Sequence, residues 1–250
     1  GKSTFGRQFL CEPSVSSDSG IHFPHEPAAD LTLDKQSSRN SVIGHAGNTI
    51  KGKENNDISD NSAYTGSITY NGVELYTIPD TLRHNIIGYM GHEPELLNDT
   101  IYNNITLGDN ADIDNILKLV CFKDEVDSME DKQNTLIGDG GVRLSGGQAQ
   151  RTALARTLHN SRPVMILDDP FSALDKDTEE QIFKNIKDKY TDNIIFIISH
   201  RLYLFPYMDK VIWIDNGKKT AATHDILMKE NELYNKLFND QRTVDNNEIS

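Results

Sequence analysis

One run of five residues constrains this chain more than any other feature. It lies at 144–148 and reads Leu144-Ser145-Gly146-Gly147-Gln148. Ser145, followed three residues later by Gln148, has the S-x-x-Q pattern of a capping box, which predicts the start of a helix. Because the two glycines place no side chains over the first turn, its free N–H groups and its dipole can face an anion. The run therefore predicts a helix that begins with an anion site.

An apolar run that ends in two carboxylates follows some twenty residues later. It reads Met165-Ile166-Leu167-Asp168-Asp169 and has the length of a strand. A strand that ends in carboxylates is a usual place to hold Mg²⁺ beside a nucleotide phosphate. The alternative for Asp168 is a helix cap after the strand. Together, an anion-binding helix and a metal-binding strand end predict nucleoside triphosphate chemistry.

The first four residues, Gly1-Lys2-Ser3-Thr4, have the letters that close a P-loop. In that motif the lysine reaches the β- and γ-phosphates and the serine hydroxyl binds Mg²⁺. A complete P-loop has a glycine and four further residues before this point, so we expect the motif to begin upstream of Gly1. Two further runs complete the order of motifs: Ser172-Ala173-Leu174-Asp175 and Ser199-His200-Arg201. With the motifs in this order, the chain closely resembles the nucleotide-binding domain of an ATP-binding cassette (ABC) transporter, over roughly residues 1–10 and 64–241.

The resemblance implies ATP and Mg²⁺ as cofactors and gives each motif residue a role. The residues implied at the phosphates are Gly1, Lys2, Ser3 and Thr4, and those implied on the metal are Ser3 and Asp168. Asp169 occupies the position where most members of the family carry the catalytic Glu that orients the attacking water. An Asp is one methylene shorter, with roughly 1.3 Å less reach. Because a misplacement of about 1 Å can cost on the order of 10²-fold in rate, we predict weak hydrolysis at this site.

Three more residues match positions of the family. His92 stands where the family's Q-loop has Gln, and it can approach the water shell of Mg²⁺ only when neutral; a plain surface histidine is the alternative. His200 matches the switch histidine that contacts the γ-phosphate, with an ordinary loop histidine as the alternative. Asp175 matches the D-loop residue that crosses the dimer interface. It could equally cap the helix that follows, and both roles can hold.

Three segments look like exporter-type sequence: 98–105, 135–141 and 223–227. In the family, two such domains enclose two ATP molecules, and the 144–148 run of each contacts the nucleotide of the other. Because His92 and Asp169 depart from the pattern while this run is intact, we predict the slow-site subunit of a heterodimer. The implied partners are a second nucleotide-binding domain and transmembrane domains, which place the chain at the cytoplasmic face of a membrane. The alternatives are an ATP-gated dimerisation module with little turnover, and a soluble ABC ATPase that acts on nucleic acid or ribosomes.

The remaining patterns predict an α/β fold. We expect a single domain over 1–250: a P-loop NTPase core with a mixed, largely parallel sheet, a helical subdomain at 98–160 and an antiparallel hairpin at 66–75. Strands are expected at 86–90, 164–167, 194–198 and 211–214, and helices over 98–122, from 146 through 158 and over 178–190. Tyr234, Leu237 and Phe238 give the closing helix its apolar stripe.

The segment 11–63 has a different character. It is rich in Ser, Asn, Asp and Gly and lacks hydrophobic periodicity, so we expect a disordered or loosely ordered insertion. His22, His25, Glu26 and His45 lie within it. A metal site is conceivable there, but we favour surface histidines because no helix or strand fixes their geometry.

Composition excludes several other classes. The net charge of −13 argues against non-specific nucleic-acid binding, since no basic stripe is present to displace counterions. Cys11 and Cys121 stand far apart, which favours two reduced thiols over a disulfide framework or a zinc site. The longest apolar runs, 194–198 and 211–214, are far shorter than the ~20 residues of a membrane-spanning helix.

Overall fold

A computed structural model describes the backbone of residues 31–34 and 67–247 and the side chains of residues 67–242. The P-loop residues Gly1, Lys2, Ser3 and Thr4 lie outside the described residues. Of the 11–63 segment, only a strand, β1 (Leu31–Asp34), is described. The described residues 69–200 and 201–247 fall in two compact units.

The first unit is built on a parallel sheet of three strands. Its strands are β4 (Ile87–Met90), β5 (Val164–Asp168) and β6 (Ile194–Ile198), in the order β4-β5-β6. The central strand β5 is buried along its whole length, as a continuous apolar run in a parallel sheet requires. These strands coincide with the predicted ones, and the α/β class with a parallel core sheet is confirmed.

The hairpin predicted at 66–75 is present. Strands β2 (Ser67–Tyr70) and β3 (Val73–Glu74) pair in antiparallel register, with Thr69 opposite Glu74. The turn residues Asn71 (φ 49°) and Gly72 (φ 77°) both have the positive φ that a two-residue type I′ turn requires.

Six α-helices are described in the first unit: α1 (Asp80–Arg83), α2 (Ile101–Thr106), α3 (Asp114–Leu119), α4 (Lys123–Ser128), α5 (Gly146–His159) and α6 (Lys176–Lys189). The continuous helical pattern predicted over 98–122 is wrong in one respect. Helix α2 ends because Leu107 (φ 55°) and Gly108 (φ 95°) adopt left-handed backbone, and α3 begins only at Asp114. The apolar face predicted for the second half of this stretch is buried, as Ile113 and Leu117 show.

The second unit contains a further antiparallel pair, β7 (Val211–Asp215) and β8 (Lys218–Ala222). Strand β8 was not predicted, although Asn216-Gly217 between the two strands is a standard hairpin signal, and both residues have positive φ. Helices α7 (His224–Glu230) and α8 (Glu232–Asn247) follow.

Val211, Leu227 and Tyr234 form a buried core cluster among the described residues of the second unit. Of the apolar stripe predicted for the closing helix, Tyr234 is fully buried, whereas Leu237 is 40% exposed and does not belong to this core. In the described part of the chain, no helix combines the length and the apolar character that crossing a bilayer requires.

Candidate nucleotide site

The carboxyl edge of the parallel sheet gathers four of the predicted site residues. Asp168 is the last residue of β5 and Asp169 follows it directly. His92 lies two residues beyond β4, and His200 lies two residues beyond β6. Because parallel strands end at the same edge of a sheet, the three strands bring these side chains together, at the place where α/β proteins bind ligands. The sequence prediction that they share one site is supported by this arrangement.

Asp169 lies beneath two imidazoles at this edge. Its Oδ2 is 3.3 Å from Nδ1 of His200 and 3.6 Å from Nδ1 of His92. The carboxylate side chain is only 9% exposed, whereas the histidine side chains are 56% and 57% exposed, respectively. The other oxygen, Oδ1, is buried and has no hydrogen-bond partner among the described residues. A buried acceptor without a donor fits an additional ligand at this edge, such as water.

The carboxylate pair also fits the implied magnesium ion. Mg²⁺ usually binds one or two protein carboxylates together with substrate phosphates and water, rather than a complete protein cage. Within the described residues, no group of three or more His, Cys, Asp and Glu side chains is arranged to hold a metal. Asp168, the buried last residue of β5, is the carboxylate that this edge offers for Mg²⁺, and the unpartnered Oδ1 of Asp169 can accept a hydrogen bond from a water beside it.

Asp175 caps α6. Its Oδ1 accepts a hydrogen bond from the backbone N–H of Thr178 at 2.9 Å, and this bond is the main reason why its pKa lies below the usual value. The capping role predicted for Asp175 is therefore confirmed, while its interface role stays a prediction. Because Asp175 is the cap of this helix, the alternative of Asp168 as a helix cap is wrong.

The first turn of α5 has the predicted capping box. The N–H of Gln148 donates to Oγ of Ser145 at 3.2 Å, and the N–H of Ser145 donates to Oε1 of Gln148 at 3.0 Å. Leu144 precedes the cap and is half-buried, while Ser145 and Gly146 are exposed. The N–H groups of Gly146 and Gly147 have no acceptor within the helix, so they can face an anion from outside the chain.

Sequence reasoning missed the residues that hold this turn from the side. Nε2 of Gln148 donates to Oε2 of Glu125 at 2.9 Å, and Nη2 of Arg151 contacts Oε1 of the same carboxylate at 2.7 Å. The Arg151 guanidinium also donates to the carbonyl of Cys121 at 2.7 Å and covers the ring of Phe122 at 4.8 Å. The spacing of Gln148 and Arg151 indicates a common helix face. Their partner could not be predicted, because Glu125 lies 23 residues earlier in the chain.

These features define an α/β protein of the P-loop NTPase fold class, with an acidic edge on its parallel sheet and a helix that opens with exposed glycine. A family model described as ABC transporter matches residues 48–172, half of the chain. The chain therefore belongs to the ABC transporter family.

The chain is also similar to individual members of that family. It is 36% identical over 184 residues to a protein of Rickettsia typhi named as an export ATP-binding/permease protein, covering 72% of this chain and 32% of that protein. It is 34% identical over 179 residues to the glutathione/L-cysteine transport system ATP-binding/permease protein CydD of Bacillus subtilis, covering 70% and 31%. A solved bacterial Atm1-family ABC exporter with ATP bound aligns at a TM-score of 0.66 and 28% identity, covering 72% of this chain and 32% of that one. The chain thus spans about a third of the length of these relatives.

Proposed function

We propose that this chain is the ATP-binding and ATP-hydrolysing cassette of an exporter, and that it works against a second nucleotide-binding domain. The names of the similar proteins join ATP binding to a permease or an exporter. Two features of the fold support the proposal, namely the acidic edge of the sheet at Asp168 and the exposed first turn of α5; we refer to them as the two half-sites. Transmembrane domains are the proposed mechanical partners, which would put the chain at the cytoplasmic face of a membrane.

Each half-site has a distinct proposed role. Lys2 would bind the β- and γ-phosphates, and Ser3 and Asp168 would hold Mg²⁺, which neutralises charge on the transferred phosphoryl group. Asp169 would orient the attacking water, and His200 would contact the γ-phosphate from the end of β6. The first turn of α5 would donate its N–H groups to the nucleotide of the partner domain. Asp175, beside α6, would lie at the interface between the two domains.

The single observation that carries the finer proposal is the contrast between these two half-sites. The first turn of α5 keeps its capping box, whereas the acidic edge carries a shorter carboxylate at Asp169 and an imidazole at His92. The Asp169 carboxylate is 9% exposed and lies under two more exposed histidines, so its reach toward a water is limited. We therefore propose that ATP is hydrolysed slowly at this chain's own site and that the chain completes a competent site on a different partner.

Site-resolved kinetics test this proposal. With the full-length protein and its partner, single-turnover hydrolysis should be slower at the site built on Asp169 than at the other site. Asp169→Glu should raise the slow rate by about one to two orders of magnitude, because about 1 Å of reach is worth up to on the order of 10²-fold. Asp188→Glu, an exposed and equally conservative change on α6, is the matched control.

Three outcomes would decide against parts of the proposal. Equal single-turnover rates at both sites would exclude the slow-site subunit. An unchanged rate in Asp169→Glu would mean that the length of this carboxylate does not limit hydrolysis. ATP-dependent dimerisation without turnover at either site would replace the ATPase by a binding module, and failure of the full-length protein to fractionate with membranes would favour a soluble ABC ATPase.

A further inference from the structure

A buried glutamine joins α5 to the acidic edge of the sheet. Gln150 is 1% exposed, and its Nε2 donates to the backbone carbonyl of Asp169 at 3.1 Å in the interior of the first unit. Gln150 stands two residues after Gln148, so it belongs to the helix whose first turn is proposed to serve the partner's nucleotide. A single helix therefore contacts both half-sites.

The backbone of Asp169 needs such support. Its φ of 51° lies in the left-handed region, which is unfavourable for a residue with a Cβ atom. Three hydrogen bonds hold this conformation. The N–H of Asp169 donates to the carbonyl of Ile198 at 2.7 Å. The carbonyl of Asp169 accepts from the N–H of Ser172 at 3.2 Å and from the side-chain amide of Gln150. The direction in which the Asp169 side chain leaves the sheet is fixed by these bonds.

Helix α5 also contacts the loop that follows Asp169 at a second position, Gly147. A Cβ atom on Gly147 would lie 3.0 Å from the carbonyl oxygen of Ala173 and 3.4 Å from Cδ2 of Leu174. This is closer than ordinary van der Waals contact, so only glycine fits at 147 without a shift of the loop. The first turns of α5 and the loop after Asp169 are thus packed together at Gly147 and hydrogen-bonded at Gln150.

We infer that Gln150 is a positioning residue, which fixes the Asp169 carboxylate relative to the helix that serves the partner's nucleotide. The inference rests on the proposed function, since it describes how one of the two proposed nucleotide sites influences hydrolysis at the other. A displacement of α5, caused by closure of the partner on its first turn, is transmitted to the Asp169 carbonyl through the Gln150 amide. Hydrolysis at this chain's own edge is thereby linked to occupation of the other site.

The test uses the full-length protein with its partner and compares three variants. Gln150→Met removes the amide donor and keeps a side chain of similar volume. The protein can still fold, because the Asp169 carbonyl keeps its hydrogen bond from the Ser172 N–H. Gln150→His retains a ring N–H at a similar reach. Gln181→Met is the control, because Gln181 is exposed on α6 and its amide donates to the side chain of Asn185 on the same helix.

We expect Gln150→Met to lower the single-turnover rate at this chain's own site by about tenfold, consistent with a sub-ångström shift of a reacting group. The KM for ATP and the melting temperature should stay within the range of Gln181→Met, and Gln150→His should recover most of the rate. A rate equal to that of the parent would overturn the inference. So would a loss of rate that is matched by the same loss in affinity and in melting temperature, because it would indicate a purely structural role.

A second readout separates this inference from the proposed function. Hydrogen exchange at the amides of Asp169 and Ser172 should become faster in Gln150→Met and remain unchanged in Gln181→Met, whether or not ATP is hydrolysed. If the parent protein shows no turnover, the proposed function fails while this measurement still reports on the link from α5 to Asp169. Unchanged exchange at both amides would refute the link itself.

Discussion

A network around Arg156 gives the sharpest prediction about what holds α5 in place. Arg156 lies on α5 and donates three hydrogen bonds. Its Nε donates to the carbonyl of Asn104 at 2.6 Å and its Nη2 to Oδ1 of Asn104 at 2.7 Å. Its Nη1 donates to the carbonyl of Glu95 at 2.7 Å. Asn104 is fully buried on α2 and also exchanges hydrogen bonds with the backbone of Leu97 at 2.8 and 3.0 Å. Burial lowers the pKa of Arg156 below its usual value, although the guanidinium remains charged.

The expected magnitude follows from the number and burial of these bonds. A hydrogen bond from a charged donor contributes about 1.5–3 kcal/mol, but bonds from one group are not additive. The bond to Glu95 is exposed and contributes least. Relief of the desolvation of the guanidinium offsets part of the loss. We expect Arg156→Leu to lower the free energy of unfolding by about 3 kcal/mol and Arg156→Lys by about 1–2 kcal/mol, because one ammonium cannot reach all three acceptors.

Urea unfolding of the chain, with Arg242→Leu as an exposed control on α8, measures both changes. For a domain of this size, about 3 kcal/mol corresponds to a fall of roughly 6–12 °C in melting temperature. A double-mutant cycle with Asn104→Ala should give a coupling energy above about 0.5 kcal/mol. The network does not hold α5 to α2 if Arg156→Leu lowers the free energy of unfolding no more than Arg242→Leu does. The same follows if the effects of Arg156→Leu and Asn104→Ala on this free energy are additive.

Two further predictions concern helix capping and pH. Asp175→Ala should lower the free energy of unfolding by about 1 kcal/mol, because it removes the acceptor of the Thr178 N–H, whereas Asp175→Asn should retain most of the cap. Urea titrations measure both variants, and equal losses of unfolding free energy would contradict the capping role. Burial lowers the pKa of His224, so the unfolded chain takes up its proton more readily, and stability is expected to decline as the pH falls below about 6.5. Thermal unfolding at about pH 7.5 and about pH 5.5 should show a smaller decline in His224→Gln than in the parent, and parallel declines would exclude this contribution.

Much of the fold could be predicted because local patterns determine it. The apolar run 164–167 and the turn Asn71-Gly72 each permit few backbone conformations, and both are as expected. The break between α2 and α3 could not be predicted, because the residue that ends α2 in left-handed backbone is Leu107, a good helix former. Strand β8 had a clear turn signal, but its own sequence, Lys218-Lys219-Thr220-Ala221-Ala222, lacks the alternation of a half-buried strand.

The site could be predicted only as far as its motifs extend. The resemblance to the family assigned Asp168, Asp169, His92 and His200 to one site, and the structure places them at the ends of β4, β5 and β6. The roles of Gln150 and Glu125 depend on contacts made 19 and 23 residues away along the chain, and no spacing rule covers these distances. Whether Lys2 and Asp168 share a cleft stays a prediction, because the P-loop residues lie outside the described part of the chain.

The unequal hydrolysis proposed for the two sites has a physical explanation in the fold. On α5, a Cβ atom at Gly147 would lie 3.0 Å from the carbonyl oxygen of Ala173, and the Gln148 side chain bonds both to the cap and to Glu125. A change at either position would disturb the packing of this chain as well as the turn that is proposed to contact the partner's nucleotide. At the acidic edge, the His92 side chain is 57% exposed, so a replacement there costs little stability. The proposed slow-site role is therefore compatible with substitutions at this edge, whereas packing and hydrogen bonds restrict Gly147 and Gln148 on α5.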